Sequence, residues 1–394
     1  MDQSNAQAVE HVEPFDFETI REDFPPLARL RAYLNTAFTG LMSRQVKAAH
    51  EAFLEERFQF DPMPLGRTIL DVWIERTEQV RAKLATFLGA SDREIAFTLC
   101  TGCGSNIALN GIDWQRGDNV VTDDLEYPTD LHVLNALKKQ GVEVRIARSE
   151  GEAVFPEQFD ALADERTRAI VVSHVSYLNG YRHDLAQLAD IVHGYGGYLF
   201  VDASQSVGSV KVNVTEEKVD FLTGIPYKWL AGPNGVGFLY VREALIPRIL
   251  PDRLGWASID GFKSLETLES NPLLETARRY EYGTLSFEGI HGLDAALDYV
   301  NRVGIERIER RNLQLIALLR ARLRERGVKF LTPPDNGSSI LSFFVDDADA
   351  FGARMRELGI CITARYRNEG YIRVSPHFYN NEEEIEAFIQ AFPN

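Results

Sequence analysis

The chain is poor in cysteine, histidine, basic charge and long apolar runs. Three cysteines among 394 residues build no disulfide framework and fit a reducing, cytoplasmic setting. The eight histidines are scattered without metal-ligand spacing, so no metal is expected; His174 and His377 read as core or loop residues. Cys100 and Cys103 form a C-x-x-C spacing, but zinc needs two further ligands and none follows in a suitable pattern, which leaves a redox pair as the other reading. Lys and Arg total 42 against 58 Asp and Glu, a net charge of -16, which argues against nucleic acid and against an anionic membrane surface. No apolar run reaches the roughly 18 residues of a spanning helix. The opening Met1, Asp2, Gln3 and Ser4 lack the basic and apolar regions of a signal peptide. A P-loop is missing, and Gly102 and Gly104 lack the third glycine of a dinucleotide fingerprint. Internal repeats and low-complexity tracts are also missing.

What is present suggests two domains, since 394 residues exceed one ordinary core. Residues 1–14 are polar, and helical periodicity with breaks covers 15–88, interrupted by Pro25 and Pro26 and by Pro62 and Pro64. Beyond Glu94 strands are predicted at 95–98, 119–122, 142–147, 169–174, 197–201, 221–223 and 236–241. Helices are predicted between them at 104–112, 128–139, 156–163 and 184–195. That alternation requires crossover connections and implies an α/β fold with a mostly parallel sheet covered on both faces. After residue 250 or so the pattern changes. A loop-rich stretch at 254–281 precedes a helix at 304–326, strands at 338–344, 360–364 and 371–375, and helices at 347–358 and 381–392. The expected division is an N-terminal segment 1–30, a large domain 31–265 and a smaller α+β domain 266–394.

One lysine stands out. Lys228 lies between Tyr227 and Trp229 and before Gly232, Gly235 and Gly237. Apolar and aromatic walls desolvate an ammonium and favour the neutral amine, the form that attacks carbonyls. Upstream, Asp202 ends the apolar run Tyr198, Leu199, Phe200 and Val201, where a carboxylate is costly without a partner. A lysine and a buried aspartate so placed suit pyridoxal 5'-phosphate, the aspartate keeping the ring nitrogen protonated. Gln205 follows, within reach of the ring's phenolic oxygen.

Asp202, Ala203, Ser204 and Gln205, then Lys228, then Gly232, Pro233, Asn234, Gly235, Val236 and Gly237 resemble, in order and spacing, the class V aminotransferase family of pyridoxal phosphate enzymes. That family includes cysteine desulfurases, selenocysteine lyases, isopenicillin N epimerase-like proteins and carbon–sulfur lyases. The resemblance extends from about Tyr33 to Phe392 and implies fold type I, with a mostly parallel seven-stranded sheet and a smaller C-terminal domain. It places Tyr127 on the ring face, where relatives have a stacking histidine, and Tyr177 near the phenolic oxygen. Gly102, Cys103 and Gly104, between a strand and a helix, fall on the phosphate-binding turn, with Cys103 where relatives have threonine. Tyr227 replaces the expected histidine, and with the preceding serine also lost it becomes the candidate phosphate contact. Thr284 matches a threonine that reaches the phosphate of a neighbouring subunit, which implies a homodimer with shared sites. Arg373 matches the arginine that grips the substrate α-carboxylate in two-point fashion, and Asn35 and Ala37 fall on the segment lining the substrate pocket.

The partner implied is a small amino acid. Desulfurases carry a mobile cysteine in the loop before the Arg373 strand, and here that loop has none; Cys361 begins a strand and reads as buried. The expected reaction is therefore β-elimination or related carbon–sulfur processing of a cysteine-derived substrate, with Lys228 as Schiff-base lysine and general base. An aminotransferase and an epimerase are alternatives, and a scaffold that has lost catalysis is the non-enzymatic one.

Overall fold

The structure is a computed structural model that describes residues 16–59, 68–260, 272–334, 337–365 and 370–392. The predicted breaks at Pro62 and Pro64 and most of the loop before Arg373, 366–369, lie outside the described residues.

A short strand β1 (Ala32–Tyr33) precedes two helices, α1 (Arg44–Gln59) and α2 (Ile69–Leu88). The alternating region then runs β2 (Ile95–Thr98), α3 (Thr101–Gly111), β3 (Asn119–Asp123), α4 (Pro128–Leu137), β4 (Glu143–Ala147) and α5 (Pro156–Asp160). It continues through β5 (Thr167–Ser173), α6 (Leu185–Gly194), β6 (Tyr198–Asp202), β7 (Phe221–Gly224) and β8 (Gly237–Val241). Next come α7 (Phe287–Val303), α8 (Ile305–Arg324), β9 (Leu341–Phe344), α9 (Ala348–Glu357), β10 (Ile360–Cys361), β11 (Thr363–Arg365), β12 (Tyr371–Val374) and α10 (Glu382–Ala391).

The central sheet has seven strands in the order β2-β8-β7-β6-β5-β3-β4. Every pair is parallel except those of β8, which runs antiparallel to both β2 and β7. This is the fold-type I α/β architecture expected from the sequence. Apart from the edge strand β4, its strands are buried on both faces because alternate side chains enter two separate cores. Ile170, Val172, Leu199 and Val201 pack with α2, α6 and α7, while Ala169, Val171, Phe200 and Phe221 pack with α3 and α4. Each such valine, leucine, isoleucine or phenylalanine taken from water stabilises the fold by roughly 1.5–3 kcal/mol.

A second, three-stranded sheet has the order β11-β12-β9, all antiparallel. Leu341, Phe343, Ile372 and Val374 form its core with Leu315 and Leu319 of α8, Phe351 of α9 and Phe388 of α10. Ala32 and Leu34 join that same core, because β1 pairs in parallel with β10. Helix starts follow side-chain capping: Thr68 and Asn381 form reciprocal capping boxes, and Asp184 and Asp347 accept from backbone N–H groups.

Strand β1 falls where helical periodicity was expected, and the single strand expected at 360–364 divides into β10 and β11, which join different sheets. Two helices also depart from the sequence expectation. Helix α3 begins at Thr101, three residues before the predicted start, and α7 was not anticipated. Both contain glycines that permit close packing. A Cβ on Gly104 would lie 2.3 Å from Thr223 Oγ1, and one on Gly292 would lie 2.3 Å from His50 Nε2.

Candidate active site

The carboxyl ends of β3, β5, β6 and β7 meet the start of α3 around one cavity of about 330 Å³. Ligands of open parallel sheets bind at this edge, where loops diverge from the strand ends. Seven of the anticipated residues line the cavity together: Gly102, Tyr127, Tyr177, Asp202, Gln205, Tyr227 and Lys228.

Lys228 is 9% exposed. Its Nζ lies 6.0 Å from the Tyr127 ring centre and 5.9 Å from that of Tyr227. The main chain around it is held on both sides. Gly40 N donates to Tyr227 O at 2.8 Å, and a Cβ on Gly40 would stand 1.9 Å from Lys228 O. The Trp229 carbonyl meets His377 Nε2 at 2.8 Å, and Trp229 Nε1 donates to Gln205 Oε1 at 2.8 Å. Gln205 Nε2 in turn donates to Ala37 O at 3.0 Å, which ties the strand-end loop to the N-terminal segment. Tyr127 and Tyr177 meet edge to face at 5.0 Å.

Asp202 accepts from Ser204 N at 2.7 Å. Burial pushes its carboxyl upward, while Ser204 and the Lys228 charge act the other way. Two further buried acids stand beside it, Glu126 and Asp130, with one oxygen of each of the three residues within 4.8 Å of the others. Glu126 Oε1 accepts from Ser173 Oγ and Tyr127 N, and its Oε2 has no hydrogen-bond partner. Both oxygens of Asp130 lack a well-formed hydrogen bond, although the Ser105 hydroxyl is close enough to interact. Burial, then the Asp202 charge, pushes Asp130 up to about 8. Glu126 is raised well above the usual range by burial and then by Asp130, Asp123 and Asp202. Three carboxyls so close in a dry place do not all ionise, so the cluster carries protons at neutral pH. Neither Glu126 nor Asp130 was anticipated; an acid after a strand reads as a cap or a surface charge.

The residues present fit pyridoxal 5'-phosphate. Asp202 is a buried carboxylate available to a cationic ring nitrogen, Lys228 supplies the linking amine, and Tyr127 offers a ring face. At the other end, α3 points its N-terminus at the cavity, and Thr101 Oγ1 and Ser204 Oγ lie 2.8 Å apart beside it. Of the three expected turn residues only Gly102 faces this cavity. Cys103 N donates to Cys100 O at 3.1 Å, and Cys103 lines a neighbouring cavity of about 120 Å³. Gly104 is buried against Thr223, so its small size serves packing of the helix on the sheet. Thr284 lines that neighbouring cavity with Cys103 and not the Lys228 one.

Arg373 and Asn35 do not line the Lys228 cavity but connect to it. Arg373 is 1% exposed; its Nη1 donates to Tyr177 O at 2.6 Å and its Nη2 to Thr363 Oγ1 at 3.4 Å. Thr363 Oγ1 donates to Asn35 Oδ1. Ala37 N donates to Ser375 Oγ at 3.0 Å, so Ala37 links the Arg373 strand to Gln205.

Fold and site together define a fold-type I pyridoxal phosphate enzyme. The family model for aminotransferase class V matches residues 66–388, and the chain belongs to that family. A probable cysteine desulfurase of Methanothermobacter thermautotrophicus is 31% identical, over 94% of this chain and 95% of that protein. The apo structure of a cysteine desulfurase from Thermococcus onnurineus NA1 superposes with a TM-score of 0.88 at 26% identity, covering 96% of this chain and 97% of the other. The cystine C–S lyase C-DES, solved with its reaction product cysteine persulfide, gives 0.86 at 24% identity, covering 93% and 98%, a likeness of fold.

Proposed function

We propose that this enzyme is a carbon–sulfur lyase that eliminates the sulfur substituent of a cysteine-derived amino acid, and that it is not a persulfide-forming desulfurase. The position of Cys361 carries this reading. It lies in β10, paired with Tyr33 of β1, does not line the Lys228 cavity, and its thiol is pushed up by burial. No cysteine follows it in the sequence before Arg373. The desulfurase relatives make cysteine desulfuration the competing reading.

Bound pyridoxal phosphate supplies an electron sink for the pair released at the substrate α-carbon. The chain's own groups do the rest. Arg373 holds the α-carboxylate and fixes which α-bond faces Lys228. The Lys228 amine takes the α-proton, and its backbone clamps return it to the same place each time. Asp202 would face the ring nitrogen as an anion while Glu126 and Asp130 keep protons. Tyr127 would cover the ring face, and Tyr177, edge to face against Tyr127, would stand near the phenolic oxygen.

Thr284 is proposed to act in a second copy of the chain. It lies outside the Lys228 cavity of its own chain, and Trp256 and Tyr282, which share its two cavities, are exposed aromatic residues. Light scattering on the purified protein tests the dimer. The described cysteines are free thiols, in keeping with a cytoplasmic setting, and no described helix is long and apolar enough to cross a membrane.

The deciding experiment supplies cystine or an S-substituted cysteine and measures pyruvate and released thiol, with cysteine and alanine measured in parallel. Pyruvate with thiol from an S-substituted cysteine, or pyruvate with cysteine persulfide from cystine, supports the lyase. Alanine formed from cysteine, with no pyruvate from any conjugate, refutes it.

A further inference from the structure

The C-x-x-C pair has no part in the lyase chemistry, yet it stands at the site. Cys100 is the N-cap of α3, is exposed, and lines the Lys228 cavity. Cys103, one turn on, is half-buried and lines the adjoining cavity. Their sulfurs are 3.5 Å apart and unbonded. Bonding distance is about 2.05 Å, so side-chain rotation within a C-x-x-C turn closes the gap without unwinding the helix. Burial, then the neighbouring Cys100 sulfur, pushes the Cys103 thiol up. Access therefore differs between the two: one thiol meets whatever occupies the cavity, and the other stands behind it.

We propose that Cys100 and Cys103 form a dithiol site that cleaves the sulfur–sulfur bond of a cysteine-derived persulfide or disulfide, with Cys100 attacking and Cys103 resolving. With a persulfide, the Cys100 thiolate bonds to the terminal sulfur and the substrate leaves as a thiol. Cys100 then carries one extra sulfur. The Cys103 thiolate attacks the Cys100 sulfur, a new S–S bond forms, and sulfide departs. In sum, one persulfide and two protein thiols give one thiol, one sulfide and one protein disulfide. With a disulfide, the same two protein thiols give two small thiols and the protein disulfide. The dithiol supplies both electrons, so a single turnover needs no other reductant. The proposal rests on the lyase reading only for the origin of a persulfide inside the cavity.

The test keeps the two apart by using the full-length protein with Lys228→Ala, which removes lyase chemistry. Cysteine persulfide is added in one arm and cystine in the other, and the peptides are read by mass spectrometry. With both cysteines present, the expected product in either arm is the Cys100–Cys103 disulfide, two hydrogens lighter, with sulfide released in the persulfide arm alone. With Cys103→Ser, Cys100 keeps one added sulfur in the first arm and a cysteine adduct in the second. Cys361 is the internal control, and Cys100 is expected to react about tenfold faster or more. An unmodified Cys100, modification at the Cys361 rate, or first attack at Cys103 overturns the proposal. Reaction in one arm only restricts the site to that substrate and overturns the shared chemistry.

Discussion

Asp130 allows a quantitative test of the buried carboxyl cluster. The perturbation is Asp130→Asn, which keeps the shape and removes the titration. In the folded protein Asp130 holds its proton up to about pH 8, whereas an unfolded aspartate releases it near pH 3.9. Between those limits the folded state binds more protons than the unfolded state, so this group makes stability fall as pH rises. The slope is about 1.4 kcal/mol per pH unit, so moving from about pH 5 to about pH 7 costs the wild type on the order of 3 kcal/mol through this residue. Below about pH 4 the contribution vanishes, because both states are protonated. Any fixed cost of burying the Asn amide shifts the variant's curve without tilting it. Urea denaturation of wild-type and Asp130→Asn apo-protein across this range gives the difference curve, in which the titrating groups outside the Glu126, Asp130 and Asp202 cluster cancel. The variant should gain on the wild type steadily as pH rises. Parallel curves would mean that Asp130 ionises freely, and the shared-proton account of Glu126, Asp130 and Asp202 would fail.

Three other outcomes follow from the same structure. Arg373→Lys should raise KM for the amino-acid substrate about tenfold or more, with kcat less affected, because an ammonium cannot make the two-point contact. Equal losses in both constants in steady-state assays would instead point to the chemical step. Glu281→Gln should destabilise the fold by about 1–3 kcal/mol in urea titrations, since it removes one of the two carboxylates on the buried Arg81 guanidinium and leaves Glu78, at 3.1 Å, as the other. The Glu281 oxygens now accept from Arg81 Nη1 at 2.7 Å and Nη2 at 3.2 Å, and from Phe97 N at 2.7 Å. Gly40→Ala should cost about 1–3 kcal/mol in stability and weaken the visible absorbance of the lysine-linked cofactor, because the added methyl meets the Lys228 carbonyl. Unchanged absorbance and stability would contradict the clamp.

The central sheet was legible in the sequence because its strands are continuous buried runs, such as Ala169 to Val172 and Leu199 to Val201, bounded by polar turns. Lys228 and Asp202 were legible because a lysine between aromatics and an acid ending an apolar strand are unusual, and their order and spacing resemble a known family. The start of α3 and the whole of α7 were not. Gly102 and Cys103 read as a turn ahead of the helix rather than its first turn. Gly292 of α7 is needed where that helix touches His50 of α1, and that need exists only once both are in place. The acid cluster was hidden for a related reason. Glu126 and Asp130 flank the start of α4, while Asp202 ends β6, and only the sheet order brings them together. The two-residue pairing of β1 with β10 leaves almost no pattern to read.

The clamps on the main chain at Lys228 also bear on how the cofactor comes and goes. With the peptide already fixed by Gly40 and His377, linking the amine immobilises only the side chain's own torsions, about 2 kcal/mol of rotamer entropy. Exchange between the lysine and an arriving amino group is thus nearly a trade of one side-chain arm for another. The protein sets the toll for entering each turnover by how little of itself it leaves loose at this point.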